Sequence, residues 1–432
     1  MVLCLTLFAN TRDQLGDVNN DGIVNVLDIV RIVNIILEND PPPTDYELWA
    51  SDVNADEFVN VQDIVIMVII IMQTYDCPDL YSPCFDNLSN CCADTTQYEY
   101  TWIEYHIGDF GSTILGSKII NNSQIWTMGI IKDDASNFDF TAAIWNGNSL
   151  DIRQFIDSTH VLLPYDYSVI ISDIYYINEY DMFFASQGIY HWNGQEIQSE
   201  WSYNTSDFFD YHVPRKLWGN SDESIYAIGR MGLVVHYNGS AWLTIDAPVD
   251  NIYLRDISGS EDGEYIFISG YNSTSGVEGI ENIGKSIALQ YHIGIWDTLF
   301  YSDDYIGNLE NGEFGWTFNV DVLGDTAYFT TTHALVKYNY LLDDTIVLTN
   351  DQILWWDSTS LSVLSPNDIV ILTGTSGTRK QYNGVSWYIS NELNNPGYNY
   401  WSFDAKEDLI IAGGDDISGF PYFNALIKIG QR

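Results

Sequence analysis

Trp218-Gly219-Asn220-Ser221, Ile225-Tyr226-Ala227-Ile228-Gly229 and Val235-His236-Tyr237-Asn238-Gly239-Ser240-Ala241-Trp242 follow one another in the middle of the chain. Each is a short run of β-branched and aromatic residues bounded by Gly, Asn, Asp and Ser, the pattern of short strands and turns. Asn238-Gly239 predicts a hairpin turn, because Gly, and Asn more than most residues, tolerate positive φ. Related junctions are Trp145-Asn146-Gly147, Trp192-Asn193-Gly194, Tyr291-His292-Ile293-Gly294, Tyr338-Asn339, Tyr382-Asn383-Gly384 and Ile429-Gly430. The residues before these turns stand at 145, 192, 237, 291, 338, 382 and 429, spaced by 44 to 54. Four short strands in about 45 residues make one blade, so seven junctions predict a seven-bladed β-propeller. A pair of β-sandwiches or a β-solenoid competes, but seven near-equal periods argue against both.

The last repeat ends at Arg432, after its third strand. Its fourth strand is expected from the start of the domain. Thr101-Trp102-Ile103-Glu104-Tyr105-His106 has the right character, with Trp102 matching Trp242 and Trp387. Pairing first strand with last would close the ring and remove two exposed edges. The Trp-Gly, Tyr-Ala-Ile-Gly, His-Tyr-Asn-Gly, Trp order resembles the repeats of secreted bacterial propeller proteins, over residues 98–432. That resemblance implies a scaffold, not an activity.

Ahead of the repeats stands Asp17-Val18-Asn19-Asn20-Asp21-Gly22-Ile23-Val24-Asn25-Val26-Leu27-Asp28. Oxygen-bearing side chains occupy positions 1, 3, 5, 9 and 12 of a twelve-residue loop, and Gly22 sits at the sharp turn. Ca²⁺ takes six to eight oxygens, and this EF-hand-type spacing supplies them. The expected ligands are Asp17, Asn19, Asp21, the carbonyl of Ile23, Asn25 through a water, and Asp28. The pattern returns 35 residues later, at Asp52, Asn54, Asp56, Phe58, Asn60 and Asp63. Glu57 stands where the turn wants Gly, so the second of the two sites is expected to be weaker.

Each loop runs into an apolar segment, Ile29–Leu37 and Ile64–Met72. Two such loops, each followed by one helix and ending on Asp, resemble the type I dockerin module, over residues 13–76. The resemblance implies a small Ca²⁺-folded α-helical domain that plugs into a cohesin partner. The positions that usually read the cohesin correspond to Val26, Leu27, Val61 and Gln62, without the familiar small hydroxyl pair. The first helix is expected from near Val26 to Asn39, with Pro41-Pro42-Pro43 as a stiff spacer. The second, Val61 to Gln73, lacks a polar face over Ile64–Met72, which makes it either a buried helix or a docking patch. Its partner is a cohesin-like domain or the chain's own propeller.

Composition narrows the function. Of 432 residues 60 are Asp or Glu and 16 are Lys or Arg, a net charge of −44. That argues against nucleic acid and anionic membrane surfaces as partners and suits Ca²⁺, cationic partners or a saline habitat. No apolar run is long enough for a transmembrane helix. Residues 1–9 resemble the apolar end of a truncated secretory signal, the alternative being an ordinary apolar N-terminus. Cys77, Cys84, Cys91 and Cys92 crowd into a linker at 77–97 and read as disulfides of an exported chain, in any of three connectivities. Zinc fits them poorly, because no C-x-x-C pair is present.

No G-x-S-x-G, H-E-x-x-H or P-loop sequence is present, so no catalytic residue is assigned. His191 and His236 read as packing residues beside the turns. Asp133-Asp134, Asp222-Glu223, Asp303-Asp304 and Asp343-Asp344 read as turn residues. The expected function is a secreted or cell-surface binding protein, its dockerin a tether and its propeller gripping a glycan or protein. The alternative is a dockerin-borne polysaccharide-degrading enzyme with a carboxylate pair in the ring mouth. A third arrangement makes it a structural surface component whose dockerin packs on its own propeller.

Overall fold

The computed structural model describes residues 16–19, 24–37, 41–53, 58–61, 63–64, 67–68, 99–135, 138–157, 167–168, 170–202, 213–249, 251–272, 284–303, 314–332, 334–348, 358–373, 377–384, 387–419 and 423–432. The chain divides into two compact units, residues 1–86 and 87–432. The signal-like segment 1–9 and the cysteine-rich linker 77–97 lie outside the described residues.

In the first unit, α1 (Val26–Ile36) is opened by Asn25, whose side chain caps the helix while Asp28 returns a bond to the Asn25 backbone. That reciprocal box holds two otherwise orphaned N–H groups. α1 ends earlier than the expected Asn39. A short helix that the periodicity did not predict follows the proline run: α2 (Asp45–Ser51), with Thr44 and Glu47 forming a second capping box. Beyond the second loop Val61, Asp63, Ile64, Met67 and Val68 are helical. Val18, Ile32, Ile35, Ala50, Val53 and Met67 make the core of the unit.

The second unit is a ring of seven four-stranded antiparallel sheets among the described residues. Blades 1 to 7 begin with the innermost strands Thr113–Asn121, Asp173–Asn178, Pro214–Ser221, Leu254–Gly259, Thr317–Leu323, Ser358–Ser365 and Tyr398–Lys406. The seventh blade takes its outer strand, β1 (Thr101–Ile107), from the N-terminal side, paired with the C-terminal strand Asn424–Gln431. Trp102 stands opposite Gly430, as Trp242 stands opposite Tyr237 and Trp387 opposite Tyr382. The seventh junction residue is therefore Gly430, one beyond Ile429. A Cβ on Gly430 would lie 2.9 Å from the Trp102 ring, so Gly there gives the indole its seat.

The Asn-Gly junctions join third and fourth strands, but not as two-residue hairpins. Trp145 pairs with Leu150 and Tyr237 with Trp242, leaving four-residue loops. Within them Gly147 and Gly239 take positive φ and the asparagines do not. The Asn146 and Asn238 side chains instead accept the backbone N–H groups two and three residues on. Asn is there for its side-chain oxygen, not for its backbone freedom. The two-residue turn occurs at Ile293-Gly294, both at positive φ, where the repeat lacks its Asn-Gly.

The core lies between blades. Trp126 and Met128 of blade 1 pack with Ile174 and Phe184 of blade 2, and Ile114 of blade 1 packs with Ile411 and Ile427 of blade 7. Each fully buried side chain of this size contributes about 1.5–3 kcal/mol. Closure therefore joins the first blade to the last through the same kind of contact that joins its neighbours.

Candidate functional sites

The calcium-type loops end on two buried carboxylates in nearly twin settings. Asp28 and Asp63 are both fully buried. Asp28 accepts the backbone N–H of Asn19 at 3.0 Å and of Asn25 at 2.8 Å. Asp63 accepts those of Val53 at 2.9 Å and of Asn60 at 2.8 Å. Each carboxylate thus ties the start of its own loop to the ninth position. Asp17 is 2% exposed, and the Tyr46 hydroxyl donates to its carbonyl. Asn25 caps Leu27, and the Asn60 amide donates to the Phe58 carbonyl. Asp52 closes α2. Asp21, Ile23, Asn54 and Asp56 lie outside the described residues, as do Glu57 and Gln62.

The donor set fits a hard divalent cation. Residues 13–76 carry thirteen Asp and Glu and one basic residue, Arg31. Arg31 is taken by Glu47 at 2.5 Å; this bond holds the Glu47 carboxyl down to about 2. Buried carboxylates require a compensating charge, and the remaining groups are side-chain and backbone oxygens, the ligands Ca²⁺ takes. Among the described residues no three acidic, His or Cys side chains gather closely enough to hold a metal by themselves. Next to the loops Val26, Leu27 and Val61 are exposed, at 61%, 59% and 62%.

In the ring, the innermost strands follow one plan. In blades 1, 3, 4, 5, 6 and 7 the register against the second strand shifts by one residue near the strand start, a bulge at Leu115, Arg215, Arg255, Phe318, Thr359 and Trp401. Bulges re-aim side chains and are common beside functional sites. The first and third residues after the bulge share one strand face. Their side chains reach the next blade around the ring. Asp256 accepts the N–H of Val320, Asp321 that of Val363, Ser362 that of Ala405, and Asp404 that of Ile119. Asp173 of blade 2 does the same for Leu217 at 2.9 Å.

These aspartates surround a cation. Lys216 Nζ lies 3.8 Å from Asp256. Its side chain is 45% exposed, open to the ring's channel; enclosure by the blades would lower its pKa, but the fields of Asp173, Asp256, Asp404 and Asp321 reverse the shift and raise it. Burial raises Asp256 and Asp404. It pushes Asp321 up to about 6, against backbone bonds from Val363 and Val322. Sequence reading missed this ring. Its trace was an Asp before an apolar residue in several repeats, visible only once the repeats are aligned by blade.

The histidines pack, as expected. His191, His236 and His292 each stack on the aromatic directly across the sheet, Phe183, Tyr226 and Tyr265, with centroids 3.9–4.5 Å apart. Asp133, Asp134, Asp222, Glu223, Asp303, Asp343 and Asp344 lie in turns or at strand ends, and Asp304 lies outside the described residues.

Residues 15–70 match the family model of the dockerin type I domain. The N-terminal unit is a type I dockerin, a module of a calcium-binding family, and the second unit is a seven-bladed propeller. No curated protein matches the chain. Among solved structures the ring is similar to virginiamycin B lyase from Staphylococcus aureus, in a catalytically inactive form with quinupristin. That match has a TM-score of 0.54 at 8% identity and covers 77% of this chain and 100% of that one. It is also similar to YCF48 bound to D1 peptide, with a TM-score of 0.51 at 12% identity, covering 77% and 97%. The WD40 propeller domain of Doa1 gives 0.50 at 11% identity, over the same shares. At these identities the likeness concerns the fold alone.

Proposed function

We propose that this is an exported calcium-dependent anchoring protein. Its dockerin holds two Ca²⁺ and docks on a cohesin-type partner outside the cell, while the propeller mouth holds a glycan or protein ligand. The observation that carries the reading is the twin setting of Asp28 and Asp63, each buried and each closing a loop of oxygen donors. Ca²⁺ bound there would draw the loop oxygens to one centre, with Asp17, Asn19, Asp21, the Ile23 carbonyl, Asn25 and Asp28 holding the first ion. Asp52, Asn54, Asp56, the Phe58 carbonyl, Asn60 and Asp63 would hold the second. Because both loops are pinned to the helices that follow them, the ions fix the pose of Val26, Leu27 and Val61. Apolar side chains at these places, instead of hydroxyls, favour a partner with an apolar docking face.

Titration calorimetry of the full chain against a panel of cohesin modules, with Ca²⁺ and with chelator, tests the tether. Calcium-dependent binding lost in Val26→Asp supports it; binding equal in chelator refutes it. The competing reading, a polysaccharide hydrolase, needs a carboxylate pair in the ring. Asp256, Asp321 and Asp404 each instead hold a neighbouring blade's N–H. Sugar release from plant, algal or microbial glycans, abolished by replacing one of them without loss of folding, would favour the enzyme.

A further inference from the structure

Acidic residues outnumber basic ones 60 to 16 in this chain, so an exposed guanidinium finds a carboxylate easily. Of the seven arginines among the described residues, Arg31, Arg153, Arg379 and Arg432 have done so. The other three, Arg215, Arg230 and Arg255, belong to blades 3 and 4, at the end of the ring where the innermost strands begin. Each is partly exposed, and among the described residues none of them forms an ion pair.

Two of the three converge. The Arg255 guanidinium carbon lies 4.0 Å from the centroid of Tyr253 and 4.2 Å from that of Tyr271. That of Arg230 lies 5.6 Å from the same Tyr253 ring. Hydrogen bonds fix this frame. The Tyr271 N–H donates to the Tyr253 carbonyl at 3.0 Å, and the buried Asn272 side chain accepts the Tyr253 N–H at 2.9 Å. Arg230 opens a single 3-10 turn, Arg230–Gly232, which the Gly232 N–H ties to the Ile252 carbonyl at 2.7 Å. The aromatic surface is taken up within the protein: Tyr253 and Tyr271 flank Arg255, and Trp316 stacks on Tyr271. The rings attract the charge and hold it in place, but they leave the in-plane N–H donors of the guanidinium unmatched. The Arg255 Nε is buried without an acceptor, so the donors that face solvent are those of its Nη atoms.

We propose that Arg230 and Arg255 form an anion clamp that takes one compact oxyanion group, a carboxylate, phosphate or sulfate, on the Nη edge of Arg255 with Arg230 beside it. A guanidinium edge matches two oxygens of such a group, and a cation already positioned by its neighbours loses little freedom on binding. The size follows from electrostatics. In physiological salt charges are screened beyond about 8 Å, so a small anion meets the two guanidiniums, whereas an extended polyanion meets the net −44 of the chain as well. Arg215, the bulge residue of the neighbouring blade, adds positive potential at the same end of the ring. The assignment goes beyond the reading of the propeller as a holder of a glycan or protein and does not depend on it.

Titration calorimetry of the calcium-saturated full-length chain tests it, with acetate, methyl phosphate and sulfate as probes at an ionic strength held constant with sodium chloride. At least one probe should bind with a stoichiometry of one, and the probe that binds tightest names the anion. Arg255→Gln and Arg230→Gln should each weaken it about 10–100-fold, the loss of a charge-assisted hydrogen bond. Arg255→Lys, which keeps the charge but not the fork, should recover part of the loss. Arg153→Gln removes a guanidinium already paired with Asp151 and should leave binding unchanged. Near-ultraviolet dichroism reports whether each variant keeps its ring; if Arg255→Gln does not, Arg230→Gln, on its surface turn, decides alone. Absence of binding by all three probes, binding indifferent to Arg230→Gln and Arg255→Gln, or an equal loss in Arg153→Gln would each overturn the clamp.

Discussion

Asp28 and Asp63 show how much one carboxylate can organise. Each receives two backbone N–H groups of its own loop and lies wholly inside the unit. Replacing Asp28 by Ala removes a proposed ligand and takes the acceptor from the Asn19 and Asn25 N–H groups, which lie nearer the surface, at a cost of about 1–3 kcal/mol in all. Loss of the helical dichroism of the first unit, with calcium affinity falling at least about tenfold, is the expected outcome; unchanged calcium titration would contradict it. In the ring, Asp321 has its folded pKa raised to about 6 by burial. A carboxyl raised in the folded state favours folding fully below its unfolded pKa, near 4, and loses that contribution as pH climbs through 6. The propeller should therefore lose about 1–2 kcal/mol between pH 4 and pH 7, after allowance for water in the channel. Melting curves across that range check the slope, which Asp321→Asn should flatten.

At the scale of elements, the closing strand is the most exposed to test. Thr101–Ile107 pairs residue by residue with the C-terminal strand. Trp102 sits on Gly430 and its indole donates to Glu392 of blade 6. Trp102→Ala should destabilise the ring by about 2–4 kcal/mol. Deleting Thr101–Ile107 should leave an unpaired edge and drive association, read by light scattering. Thr44 and Glu47 mark an element whose signal was present but too short for periodicity to catch. The capping box spells out α2, yet seven residues hold less than two full repeats of a 3.6-residue pattern.

The whole molecule combines two units with different sources of stability. The propeller is held by seven apolar clusters between blades and by carboxylates that span them. The dockerin has one small core and an excess of buried acid. Chelation should abolish the helical signal and spare the strand signal, and a full-chain dichroism melt in chelator and in Ca²⁺ measures both. A strand signal lost together with the helical one would show that calcium supports the ring as well.

The sequence by itself determined the features that repeat along the chain: two loops of oxygen donors 35 residues apart, seven junctions, and a first strand matched to the last. These are local patterns, written in spacing and residue type. Tertiary structure decided which side chains meet across blades. The stack of Arg230, Tyr253, Arg255, Tyr271 and Trp316 and the ring from Asp173 to Asp404 join residues many positions apart. In blades 3, 4 and 5 the facing of Lys216, Asp256 and Asp321 follows a one-residue bulge in the innermost strand. Because side chains alternate every residue, a single inserted residue exchanges the channel face for the core face, and spacing alone leaves that parity open.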